Sequence, residues 1–177
     1  MVGGRRAVFL DRDGVINRSV VRNGKPFAPA TVEALEILPG VAEALAALRR
    51  AGFLNVVVTN QPDVGSGALP RHVAEAMHAR LMAALPIDAI KVCYHTDENG
   101  CACRKPKPGL ILEAAQELGI DISKSYMVGD RWRDVGAAHA AGCRALFIDC
   151  GYAERGPDEP YVPVESLDDA VAFILKS

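Results

Sequence analysis

Short β-branched or apolar runs alternate along this chain with longer segments rich in alanine and leucine, the pattern of a parallel sheet covered by helices on both faces. Five runs read as strands: residues 7–10, 53–58, 89–93, 125–128 and 144–148. Helical spacing appears over about 40–51, where Val41, Leu45 and Leu48 share a face and Gly52 supplies the stop. Further helices are expected over about 70–84, from Pro108 to Leu118, over 132–141 with Gly142 as C-cap, and over 167–175. Proline suits the first helical position because its missing N–H would have no partner there anyway. Two stretches lack a sustained period: 14–30, read as a flap, and 60–69, a loop with two glycines and a proline.

With 177 residues, half of them hydrophobic, one domain spanning 1–177 with a core buried from both sides is expected. The 20 basic and 22 acidic residues balance to −2 without a basic run, so no nucleic-acid partner is expected. No apolar run is long enough for a bilayer, and the first residues are too short and wrongly flanked for a signal peptide. Five cysteines, three of them clustered with a histidine, argue for a reducing cytoplasm rather than a disulfide framework.

The chemically suggestive residues fall just after strands, where open parallel sheets place their ligands. Asp11-Arg12-Asp13-Gly14 sets two carboxylates at a strand end, with Gly14 permitting a sharp turn away. Crowded carboxylates raise one another's pKa unless a cation intervenes, and magnesium takes oxygen ligands at about 2.0–2.1 Å. Thr59-Asn60 offers a hydroxyl and backbone N–H groups to a phosphoryl oxygen, although alone it reads as an ordinary turn. Arg104-Lys105 offers a point charge for phosphate and a fork for a second anion, although alone it reads as a solvated basic patch. Gly129-Asp130 adds a third carboxylate, and Asp134 reads as a further metal neighbour or as a favourable charge at a helix start. Together, four such signals at successive strand ends outweigh their separate plain alternatives.

In this order, Asp11-Arg12-Asp13-Gly14, Val57-Val58-Thr59-Asn60-Gln61, Cys103-Arg104-Lys105-Pro106-Lys107-Pro108-Gly109 and Val128-Gly129-Asp130 resemble the four motifs of the haloacid dehalogenase superfamily. They are most similar to the branch holding heptose bisphosphate and histidinol phosphatases. The resemblance implies an α/β, Rossmann-like doubly wound parallel sheet, with no room here for a separate cap domain. It implies Asp11 as nucleophile and Asp13 as general acid and base. Magnesium would be held by Asp11, the Asp13 backbone carbonyl and Asp130. Thr59 and Lys105 would hold phosphoryl oxygens, and Asn60, Arg104 and Arg131 would contact substrate. The implied partner is a small phosphorylated metabolite met by a monomer. The leading candidate is D-glycero-D-manno-heptose 1,7-bisphosphate losing its 7-phosphate, with histidinol phosphate or another phosphomonoester next. Arg18, Arg22 and Lys25 in the flap are candidates for a second phosphate.

Cys93, His95, Cys101 and Cys103 form a complete tetrahedral donor set within 93–103, with no position left for water, so a structural zinc loop is expected. It would stiffen Asp97 to Gly100 and aim Arg104-Lys105 at the site. Cys143 and Cys150 read as small buried hydrophobes, and His72, His78 and His139 as helical residues without ligand spacing. Two non-hydrolytic readings compete: a receiver domain that signals through a phosphorylated aspartate, and a degenerate binding module. A receiver's acceptor follows a middle strand, whereas the acidic pair here follows the first, and the presence of both Asp11 and Asp13 opposes degeneracy.

Overall fold

The computed structural model describes residues 4–177. In chain order the elements are β1 (Arg6–Leu10), β2 (Val20–Arg22), β3 (Lys25–Phe27), α1 (Val41–Arg50), β4 (Phe53–Asn60), the single-turn α2 (Pro62–Gly65), α3 (Arg71–Ala84), β5 (Ala89–Cys93), α4 (Gly109–Leu118), β6 (Tyr126–Gly129), α5 (Trp132–Ala141), β7 (Arg144–Ile148), β8 (Val162–Val164) and α6 (Leu167–Lys176). Six strands form one sheet in the order β5-β4-β1-β6-β7-β8, with every pairing parallel.

Why β1 is an unbroken apolar run is clear from where its side chains go. Val8 and Leu10 enter the cluster beneath α1, α3 and α6, which includes Leu45, Leu48, Met77, Leu81 and Ile174. Ala7 and Phe9, pointing the other way, enter the cluster beneath α4 and α5, with Leu110, Ile111, Val135 and Ala138. A strand covered on both faces has no polar side to alternate with. Each large apolar side chain buried in this way contributes roughly 1.5–3 kcal/mol, so the two apolar layers hold the sheet and leave its carboxyl edge free to carry charge.

The chain runs from β1 outward through β4 and β5, then returns to the other side of β1 as β6, β7 and β8. The strand order therefore reverses at β1, and the carboxyl ends of β1, β4 and β6 meet around one crevice.

Strand β8, the flap hairpin and the single-turn α2 within the 60–69 stretch read as a loop were not legible from periodicity. Strand β8 is a three-residue Val-Pro-Val piece at the sheet edge, where a proline can sit without breaking a ladder on both sides. Within the 14–30 flap lies an antiparallel hairpin, β2 with β3, turned through Asn23 and Gly24, both at positive φ. Its strands are three residues each and mostly exposed, too short to show a period of two. Cys143 is buried as expected, but Cys150 is exposed, because β7 ends at Ile148 and Cys150 lies in the loop beyond it.

Candidate active site

Asp11 is the first residue past β1, and its carboxylate is approached by Lys105 Nζ at 3.0 Å. The same ammonium donates to Asp134 Oδ1 at 2.6 Å and to the Val58 carbonyl at 2.8 Å. Lys105 is 2 % exposed, so a buried cation is balanced by two buried carboxylates and a carbonyl. The loop that carries it is held by Asn60 at the end of β4. Asn60 Nδ2 donates to the Lys105 carbonyl and Asn60 Oδ1 accepts the Lys105 N–H, each at 3.1 Å. Asn60, expected to contact substrate, spends its amide on fixing the lysine's backbone.

Asp134 stands in the first turn of α5, where its Oδ2 accepts the backbone N–H groups of Asp130 and Arg131 at 3.1 and 3.0 Å. That satisfies two orphan donors of the helix start and joins the β6–α5 turn to Lys105. A Cβ on Gly129 would overlap the Asp134 side chain, so glycine is required there.

Asp11, Asp130 and Asp134 each bring a carboxylate oxygen within 4.8 Å of the others. Asp130 Oδ2 accepts the Tyr152 hydroxyl at 2.7 Å, while Asp130 Oδ1 is buried without a hydrogen-bond partner. Burial and the negative charge of Asp134 push the Asp11 carboxyl up to about 6, against the opposing pull of Lys105. Burial, with Asp11 and Asp134 alongside, pushes Asp130 well above the usual carboxylate range. Burial would lower the Lys105 pKa, but Asp11 and Asp134 outweigh it and hold the lysine charged. An unpartnered buried carboxylate oxygen among three acids and one lysine is a donor set that a small, hard divalent cation fits. Gly14 allows the close approach, since a Cβ there would overlap the Asp130 carboxylate.

Asp13 is held by a different set of partners. Its carboxylate accepts from Arg12 Nη2 at 3.0 Å, Asn17 Nδ2 at 2.9 Å and Gln61 Nε2 at 2.8 Å. Gln61 also donates to Thr59 Oγ1 at 2.9 Å, so Thr59 lies fully buried beneath the floor and reaches Asp13 through Gln61. Arg12, with no exposed surface, meets His78 Nε2 at 3.0 Å. Burial and the Arg12 charge push the His78 pKa down to about 4, leaving a neutral imidazole that accepts from the guanidinium.

The crevice is a cavity of about 400 Å³ with Asp11, Asp13, Lys105 and Asp134 toward its floor. Lys25 and Phe27 of the hairpin, with Arg104, Arg131 and Arg133, form walls. Of the three flap cations only Lys25 lines it: Arg18 pairs with Glu36, and Arg22 lies over the Phe27 ring. Arg131 is paired with Glu154, and Arg104 and Arg133 converge on the Asp97 carboxylate at 2.8 and 3.1 Å. Sequence reasoning missed Arg133, Gln61, His78 and Tyr152 as site residues. Gln61 and Arg133 lie next to motif residues, which was a usable signal; His78 and Tyr152 carried none.

The cysteine–histidine set also comes together. Cys93 Sγ lies 3.6 Å from Cys101 Sγ and 3.0 Å from Cys103 Sγ, with Cys101 and Cys103 3.5 Å apart. His95 Nδ1 is 3.5 Å from Cys93 Sγ and 3.3 Å from Cys103 Sγ. Tetrahedral zinc with Zn–S near 2.3 Å needs ligand separations of roughly 3.6–3.8 Å, so these four fit the ion after small adjustments. Residues 97–99 between the halves form one 3₁₀ turn, with Thr96 and Asn99 capping each other. A Cβ on Gly109 would overlap the Ala102 carbonyl, so the loop packs directly on the start of α4.

Among known proteins, the haloacid dehalogenase-like hydrolase family matches residues 18–142. A Pseudomonas aeruginosa protein named D-glycero-beta-D-manno-heptose-1,7-bisphosphate 7-phosphatase is 35 % identical over 98 % of this chain and 97 % of its own length. A Mycobacterium tuberculosis protein named for the alpha anomer of the same substrate is 39 % identical over 87 % of this chain and 84 % of its own. The crystal structure of D,D-heptose 1,7-bisphosphate phosphatase from B. bronchiseptica, complexed with magnesium and phosphate, superposes with a TM-score of 0.83 at 31 % identity, covering 97 % of this chain and 98 % of that one. Agreement over nearly the whole length, in sequence and in sheet, means that the chain belongs to the haloacid dehalogenase-like hydrolases and is one of their phosphatases.

Proposed function

We propose that the chain hydrolyses the 7-phosphate of D-glycero-D-manno-heptose 1,7-bisphosphate, with magnesium bound, through a phosphoryl group carried on Asp11. The observation that carries the mechanism is the Lys105–Asp11 contact at 3.0 Å beside a buried Asp130 oxygen that has no protein partner. Relatives named for this substrate over nearly the full length support the choice of sugar.

Asp11 attacks phosphorus through a carboxylate oxygen, the bond from phosphorus to the sugar oxygen breaks, and Asp13 gives a proton to that departing oxygen. Asp13, now a carboxylate, takes a proton from water; the water oxygen attacks phosphorus and Asp11 is released unchanged. Arg12, Asn17 and Gln61 hold the Asp13 side chain in place. Lys105 presents fixed positive charge where negative charge spreads over the phosphoryl oxygens. Asp11, the Asp13 backbone carbonyl and Asp130 would hold magnesium, with Asp134 fixing the turn behind them. When bound, magnesium screens the repulsion between anionic nucleophile and anionic substrate. Arg104, Arg131 and Arg133 face the part of the substrate that stays behind. Cys93, His95, Cys101 and Cys103 would hold zinc, and the loop they close carries Arg104 to the cavity.

Phosphate release tests this, using heptose bisphosphate, histidinol phosphate and simple sugar phosphates with and without magnesium, for the wild type and Asp11→Asn. The expected result is magnesium-dependent release, fastest from heptose bisphosphate and lost in the variant. Preference for histidinol phosphate would overturn the substrate. No turnover, with a stable phosphoprotein formed from acetyl phosphate, would overturn the hydrolase reading in favour of a receiver-like role.

A further inference from the structure

We propose that Tyr152 is a positioning residue that orients Asp130 toward the metal site and links the flap hairpin to it; this rests on the magnesium reading above. Tyr152 lies in the loop after β7, far in sequence from every motif residue around it except Asp130 and Arg131. Its hydroxyl donates to Asp130 Oδ2 at 2.7 Å and lies 2.9 Å from Ser19 Oγ. With Asp130 ionised beside a cation, the phenol's one proton goes to the carboxylate and Ser19 is the donor in the second contact. The result is a directed chain from Ser19 in the flap, through Tyr152, to Asp130.

The next two residues reinforce the same link. The Ala153 N–H donates to the Gly24 carbonyl at the hairpin turn at 2.7 Å, and Gly24, at φ +73°, has no Cβ that would run into Ala153. Glu154 pairs with Arg131, whose side chain lines the cavity. Three consecutive side chains or backbone groups thus grip the metal carboxylate, the flap and a substrate-facing arginine. A tyrosine that served only as filler would not need its hydroxyl between two polar partners. With Oδ2 engaged by the phenol, Oδ1 is the Asp130 oxygen left for the cation.

The test uses the full chain and Mn²⁺ as a spectroscopic probe, following free Mn²⁺ by electron paramagnetic resonance and the amides of residues 20–27 by hydrogen exchange. Tyr152→Phe should weaken Mn²⁺ binding by about tenfold, the size of one lost charge-assisted hydrogen bond. In the wild type, Mn²⁺ should slow exchange in the hairpin; in Tyr152→Phe and in Ser19→Ala, a change at a partly exposed position that folds without difficulty, this slowing should vanish. Wild-type Mn²⁺ affinity in Tyr152→Phe, or a hairpin whose exchange ignores Mn²⁺ in the wild type, would overturn the proposal. Asp130→Asn separates the two levels. If it binds Mn²⁺ as well as the wild type, the magnesium reading itself fails; if it loses binding while Tyr152→Phe does not, only the role of Tyr152 fails.

Discussion

His78 carries a stability cost that pH can expose. Its folded pKa is about 4 against an ordinary 6.5, because burial and the adjacent Arg12 charge oppose protonation. The unfolded chain therefore binds a proton that the folded chain refuses between these values. Stability is fully present above about pH 6.5 and is lost as pH falls toward 4, by at most about 3 kcal/mol. Denaturant unfolding at a series of pH values should show this slope, and His78→Gln, whose amide oxygen can still accept from Arg12, should flatten it. An unchanged slope in the variant would assign the acid sensitivity elsewhere. At this scale the sequence showed Asp11, Lys105 and Asp130 because each stands beside a strand end or an anchoring motif, where topology alone brings residues together. It did not show His78, which reaches Arg12 from the middle of α3, or Tyr152, which comes from a loop with no period. Their roles come from tertiary placement, which spacing does not encode. Asn60 illustrates a subtler limit: its position was legible, but its pairing with the Lys105 backbone was not.

The cysteine–histidine loop gathers a donor set that fits zinc. Within it, burial and a neighbouring thiol push Cys93 up to about 12, while at Cys101 burial is outweighed by the Arg104 backbone N–H and the adjacent thiols, which draw it down to about 6. The three thiols cannot all ionise beside one another without a cation among them. Removing zinc with a chelator should loosen residues 93–103 and release Asp97 from Arg104 and Arg133. The expected outcome is a lower melting temperature, and a KM for the bisphosphate raised by about tenfold with kcat less affected, because Arg104 and Arg133 line the cavity while Lys105 is also held by Asn60. Re-addition of zinc should reverse both changes. A chelated protein with unchanged KM would separate the loop from substrate recognition. The loop was legible because four soft donors in eleven residues have few other uses. The hairpin and β8 were not, because three-residue strands give no periodicity to read.

Across the whole molecule, apolar layers on both faces of the sheet hold a rigid frame, and the reversal of strand order at β1 opens the crevice where charge is concentrated. The alternation of strand and helix made that frame readable from the residues alone, since unbroken apolar strands separated by helices suit a doubly covered parallel sheet. The hairpin and the cysteine–histidine loop stand at the carboxyl edge, and Lys25, Arg104, Arg131 and Arg133 line the open cavity there. Among the described residues, no helix is long and apolar enough to cross a membrane. The central claim is that the phosphoryl group passes through Asp11, and acid-quenched single turnover with labelled substrate, followed by peptide mapping, tests it directly. The account predicts a transient phosphoryl adduct on the peptide containing Asp11, formed before free phosphate appears and absent in Asp11→Asn. Phosphate release without any covalent adduct, or an adduct on a different residue, would contradict it.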